Sequence, residues 1–143
     1  MLKPIVVFDT NVFISGLIAK HGPPARALDL WRNRKIRLVV STRIVEEILD
    51  VLRRHALVQS QNISSANVAR LERLLQRKRV TAHVTPRVHF AICRDPEDNK
   101  FIDSAVAAKA DYLVTFDADL LSIGEFHGVK IVRVQAFLDL VDR

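Results

Sequence analysis

Ile5-Val6-Val7-Phe8 is a run without a polar position, and it ends on Asp9-Thr10-Asn11. A strand with one face in water alternates apolar and polar residues, because successive side chains point to opposite faces. An unbroken apolar run therefore predicts a strand covered on both faces, as in a parallel sheet packed between helices. Leu38-Val39-Val40 repeats the pattern and predicts a second strand from Arg37 to Ser41. Val80, Ala82 and Val84 predict a third, Tyr112 to Thr115 a fourth, and Val129 to Val134 the last. Helices are expected between them: over 12–19, after Gly22-Pro23-Pro24 to about Asn33, and over 43–56. Another starts at Ser64 or Ser65 and carries Val68, Leu71, Leu74 and Leu75 on one side. The turn Asp95-Pro96-Glu97-Asp98-Asn99 leads into a helix to about Lys109, and 135–142 closes the chain. Strands alternating with helices predict one α/β domain over residues 1–143.

Composition narrows the class. Hydrophobic residues make up 49% and charged residues 27% of the 143, which suits a chain with a packed core. No stretch approaches the length of a membrane span. Met1-Leu2-Lys3-Pro4 runs straight into the first strand, which argues against a secretion signal. One cysteine, Cys93, excludes an internal disulfide and a multi-cysteine zinc site, and a reducing cytoplasmic setting is expected. Cys93 itself reads as a small buried residue and Trp31 as core or interface. His21, His55, His83, His89 and His127 show no paired metal spacing and read as structural.

The net charge of +6 is unevenly spread. Residues 20–79 carry 14 Lys and Arg against 5 Asp and Glu, whereas residues 80–143 carry 7 against 10. The basic segment suits a polyanion. Arg32, Arg34, Lys35, Arg70, Arg73 and Arg77 are the candidates to hold phosphates, and they are expected to surround an acidic pocket.

That pocket is read from strand ends. Open parallel sheets bind ligands at the carboxyl ends of their strands. Asp9 ends the first strand and Asp117 the fourth, so both can reach one crevice. Two carboxylates brought together repel unless one protonates or a cation lies between them. Mg²⁺ or Mn²⁺ on such a site can activate water against a phosphodiester. At about 100° per residue, Glu47 lies only about 40–60° from the apolar Ile44 and Val51, whereas Glu46 and Asp50 face water. By the same wheel Asp98 points toward Ala105 and Ile102, with Asp103 about 140° away. Each residue also has an ordinary explanation. Asp95, Asp98 and Asp119 can be helix caps, Thr10 and Asn11 turn residues, Glu47 a solvated helix residue, and the arginines a solvated face.

Taken together, the motifs resemble the PIN-domain proteins, in particular the VapC-like toxin nucleases. The resemblance rests on Val6-Val7-Phe8-Asp9-Thr10-Asn11-Val12, on Ser41 with Glu46-Glu47-Ile48-Leu49, and on Arg94-Asp95-Pro96-Glu97-Asp98-Asn99-Lys100. It closes with Ala110 through Leu121, which contains Thr115-Phe116-Asp117-Ala118-Asp119. It implies a parallel sheet of about five strands with helices on both faces. It also implies a Mg²⁺- or Mn²⁺-dependent ribonuclease with Asp9, Glu47, Asp98 and Asp117 as catalytic and metal-binding acids. Asn11 and Thr115 would support them, with Asp95 and Asp119 alongside. Asp95 and Asp98 remain alternative ligands. Phe116 departs from the small residue common at its position. An RNA substrate, an antitoxin protein and a homodimer are implied in the same way. The rival readings are a silent PIN-like RNA-binding module and an aspartyl-phosphate phosphoryl-transfer domain.

Overall fold

The computed structural model describes residues 2–56 and 63–142, with the backbone alone at His55 and Ala56, so the His55 side chain lies outside the described residues. The strands are β1 (Ile5–Phe8), β2 (Arg37–Val40), β3 (Thr81–His83), β4 (Tyr112–Val114), β5 (Glu125–Phe126) and β6 (Val129–Val132). The helices are α1 (Thr10–Ile18), α2 (Pro23–Arg32), α3 (Thr42–Ala56), α4 (Ser65–Gln76), α5 (Asn99–Ala107), α6 (Ala118–Ile123) and α7 (Val134–Val141).

The sheet order is β3-β2-β1-β4-β6-β5. Every pair is parallel except β5 with β6. β1 is central, and Val6, Val7 and Phe8 are buried, as the unbroken apolar run requires. The sheet has six strands where five were expected. The addition is the two-residue β5, turned onto β6 through His127 and Gly128, both with positive φ. That backbone is the two-residue hairpin turn whose twist matches its strands.

Aromatic rings join the helices to the sheet. Trp31 packs edge-on against Phe13, Phe13 against Phe8, and Phe8 against Phe137, with centroids 5.6, 5.6 and 5.9 Å apart. Trp31 is core, and its indole N–H donates to Thr81 Oγ1 at 3.0 Å. On α3, Ile44, Ile48 and Leu52 are fully buried, so this helix lays its expected apolar face on the sheet. Ser64 caps α4 by accepting from Asn67 N–H.

α1 and α2 approach closely at Gly16. A Cβ there would lie 2.5 Å from Leu28 Cδ1 and 2.8 Å from the Pro24 carbonyl oxygen. Gly16→Ala gains about 1 kcal/mol of helix propensity, but forcing a backbone carbonyl aside costs about 1–3 kcal/mol. We expect a net loss of about 1 kcal/mol, read as a lower urea midpoint at unchanged slope.

Candidate active site

Strand order reverses beside β1. From β1 the chain builds outward through β2 and β3, then returns to place β4 and β6 on the other side. The loops after β1 and β4 diverge there and leave a crevice at their carboxyl ends. Asp9 follows β1 and Asp117 follows β4, so the topology brings both acids to this switch point.

Asp9 is buried, and its N–H continues the β1–β4 ladder by donating to the Val114 carbonyl. The Thr115 hydroxyl donates to Asp9 Oδ2 at 2.7 Å and accepts from Asp117 N–H at 3.0 Å. One hydroxyl thus sets both acids. Asn11, the other expected support, is exposed on the first turn of α1. Asp117 Oδ1 also accepts from Asp119 N–H, so the cap of α6 is Asp117. Asp119 instead faces Arg94 at 3.9 Å.

The acidic turn separates its two candidates. Asp95 is exposed, and its Oδ1 accepts from Glu97 N–H, which caps the 3₁₀ turn Pro96–Asp98. Asp98 makes no capping bond and is half-buried facing Asp9 and Asp117. Asn99 Oδ1 accepts from Ile92 and Cys93 N–H and holds the preceding loop against the turn.

Burial raises the Asp9 carboxyl above its ordinary range, the Thr115 hydroxyl draws it partly back, and the Glu47 and Asp117 charges raise it further. Burial, the Asp9 charge and contact with Asp117 push Asp98 up to about 7. Burial and then the charge of Asp98 push the Cys93 thiol up to about 11, so this half-buried cysteine is a thiol, not a thiolate, at neutral pH.

The Asp98 shift has a measurable consequence. Its folded pKa lies above the ordinary 3.8, so its contribution to stability is fully present below about pH 4 and is lost as pH rises through about 7. Discounted for solvent exposure, the contribution is about 1 kcal/mol, or about 3 °C in Tm. Without divalent ions the protein should melt lower at pH 8 than at pH 5, and Asp98→Asn should flatten that difference. An equal slope in the variant would remove Asp98 from the acid cluster.

Glu47 is half-buried, as the helical wheel indicated, but its oxygens are already engaged. Oε1 lies 2.6 Å from Lys100 Nζ, and Oε2 accepts from the Thr10 hydroxyl. Lys100 is the residue that sequence reasoning passed over. It sits in the first turn of α5 with its side chain only 6% exposed, and Nζ also donates to the Glu97 carbonyl at 2.6 Å. In the sequence it closes the Arg94–Lys100 motif and precedes the apolar pair Phe101-Ile102.

Asp103 is likewise buried rather than turned to water. It accepts from Phe90 N–H at 2.7 Å and lies 3.1 Å from His89 Nδ1, so it ties down the loop before α5. The wheel placed it away from Asp98 correctly, but that direction faces this loop. Of the other histidines, His83 Nε2 contacts the Leu75 carbonyl, His127 packs on Phe90 and Phe126, and His21 is exposed.

The basic segment does not surround these acids. Arg34 and Lys35 immediately precede β2, and Arg77 precedes β3, so they stand at the amino ends of parallel strands, away from the crevice. A hollow there is lined by Lys3, Arg34, Arg37, Lys78 and Arg79. Arg32 ends α2 and pairs with Asp29, while Arg70 and Arg73 are exposed on α4. Among the described residues, the cations on the acid side include Lys100, Arg94 and Arg43. Arg43 and Lys100 line a cavity of about 280 Å³ with Ser41, Val84, Pro86 and His89. Phe116, between Thr115 and Asp117, is 40% exposed.

Among the described residues, no three His, Cys, Asp or Glu side chains form a ready metal cage. The donor chemistry still fits a hard divalent ion. Mg²⁺ commonly takes one or two carboxylates and keeps its waters. Burial first, and then neighbouring negative charge, raises Asp9 and Asp98, and the second part is the repulsion a cation relieves.

The fold and crevice define an α/β protein with acids gathered at a topological switch point. The PIN domain family matches residues 5–119, and the chain belongs to that family, whose members are generally nucleases. It is 38% identical over 126 residues to the uncharacterized protein MJ1680 of Methanocaldococcus jannaschii, spanning 85% of this chain and 76% of that one. Its fold is similar to a chain in the crystal structure of VapBC2 from Rickettsia felis bound to a DNA fragment from their promoter. That match has a TM-score of 0.57 and 14% identity, over 90% of this chain and 98% of the other. Among the described residues, no helix is long and apolar enough to cross a membrane.

Proposed function

We propose that this chain is a metal-dependent endoribonuclease acting as the toxin of a toxin–antitoxin pair. The observation that carries this reading is the meeting of Asp9, Asp98 and Asp117 at the β1–β4 switch point, where Asp98 is raised to about 7. Asp9, Asp98 and Asp117 would hold Mg²⁺ or Mn²⁺, which when bound supplies an activated water and stabilises the leaving oxygen. Thr115 orients Asp9 and, through the Asp117 N–H, the loop that carries Asp117. Glu47 would stand beside this ion without ligating it, because Lys100 and Thr10 engage both its oxygens. Arg43 and Arg94 stand on the acid side to receive phosphates, while the cations at the amino ends of the strands would hold more distant parts of a long RNA.

The antitoxin partner is suggested by the VapBC2 likeness. A homodimer belongs to the same reading; Phe13, Leu28 and Trp31 of α1 and α2 are spent in the core, whereas Leu17, Ile18 and Leu30 are only partly buried. The test is a cleavage panel of single-stranded RNA, structured RNA and DNA with Mg²⁺, Mn²⁺ or EDTA. Metal-dependent cleavage of RNA alone is expected, and cutting unaffected by EDTA would sink the reading.

One observation favours a second reading. Glu47 is held by Lys100, which suits an RNA-binding module without turnover. RNA binding in EDTA with no cleavage in Mn²⁺ would select it.

A further inference from the structure

Lysine is almost never fully buried unless its charge is paired. Lys100 is buried inside the acidic site, two residues after Asp98. Its ammonium lies 2.6 Å from Glu47 Oε1 and donates to the Glu97 carbonyl at 2.6 Å, with the exposed Glu97 carboxylate farther off at 3.7 Å. Glu47 is satisfied in turn, because its second oxygen accepts from Thr10. Both members of the pair are therefore held by protein partners.

We infer that Lys100 is the built-in second cation of this site: it neutralises Glu47 and leaves Asp9, Asp98 and Asp117 to a single divalent ion. The inference rests on the metal-dependent reading above and goes beyond it by setting the number of ions. Sites with two ions hold both against one phosphate, about 3.5–4 Å apart, and need carboxylates for each. Here one of the four acids is already neutralised by an ammonium. Displacing that ammonium would leave a buried positive charge without its partner. Lys100 acts through Glu47, so it is a positioning residue.

The experiment is calorimetric titration of MnCl₂ into the whole chain, with folding followed by circular dichroism. The wild type should take one Mn²⁺ per chain, and so should Lys100→Arg, which keeps the charge. Lys100→Met frees Glu47 and should take two, the second about tenfold weaker than the first. The double variant Glu47→Gln with Lys100→Met strands no buried charge and should return to one. Should Lys100→Met fail to fold, the double variant decides: one ion within about threefold of wild-type affinity is expected. Two ions in that protein overturn the inference, as does Lys100→Met taking one ion at wild-type affinity. Two ions in a wild type that cleaves RNA overturn the inference and leave the nuclease reading standing. No uptake by any variant overturns both.

Discussion

Asp9→Asn should reduce RNA cleavage by at least about 10³-fold, because losing a central ligand forfeits several kcal/mol of transition-state stabilisation. The same change should leave the fold intact. Asparagine has nearly the shape of aspartate, and its Oδ1 can still accept the Thr115 hydroxyl that lies 2.7 Å from Asp9 Oδ2. It also removes one of the charges that raise Asp98, so the metal-free variant should melt at or above the wild type near pH 8. RNA affinity in EDTA should be unchanged or slightly higher, since a negative charge leaves the crevice. Cleavage, melting and gel-shift measurements on one preparation separate these effects. Cleavage at the wild-type rate would place the reaction elsewhere.

Trp31→Ala should cost about 3–5 kcal/mol, the range for emptying a large aromatic site in a core. Trp31 is fully buried between α2 and the sheet, packs on Phe13 at 5.6 Å and donates its indole proton to Thr81 on β3. Few neighbours can collapse into the hole, because Phe13 is itself braced by Phe8, and Phe8 by Phe137. The loss is a large share of the about 5–15 kcal/mol that holds a domain of this kind. Trp31→Phe keeps most of the apolar volume and loses the indole hydrogen bond, so about 1–2 kcal/mol is expected. Guanidinium unfolding of the pair measures both. An Ala variant within about 1 kcal/mol of wild type would show that this junction repacks freely.

The elements that could be read from sequence are those whose signal is local. β1 and β2 are unbroken apolar runs, and α3 repeats Ile44, Ile48 and Leu52 along one face, so both predictions held within a residue or two. β5 escaped because two residues carry no period, although Gly128 marked the turn. At the site, the half-buried position of Glu47 on α3 followed from helical angles, and Asp98, in the 3₁₀ turn before α5, is half-buried as the same wheel suggested. The choice between Asp95 and Asp98 did not follow from the wheel. It depended on which side chain found a backbone N–H, and Asp95 found that of Glu97.

By itself, then, this sequence determined a two-sided parallel sheet, the acids at its strand ends and the helix faces that cover it. These follow from side-chain periodicity, which acts over a few residues. Tertiary structure alone decided how the charges meet. Asp9 and Thr115 lie 106 positions apart in the chain and share a hydrogen bond because β1 and β4 are neighbours. Glu47 faces Lys100 because α3 and α5 begin beside the same crevice. The basic segment proved to lie largely away from the acids for the same reason. Parallel strands send every loop that precedes a strand to one end of the sheet and every loop that follows to the other. A net charge counted along the chain carries no record of that direction.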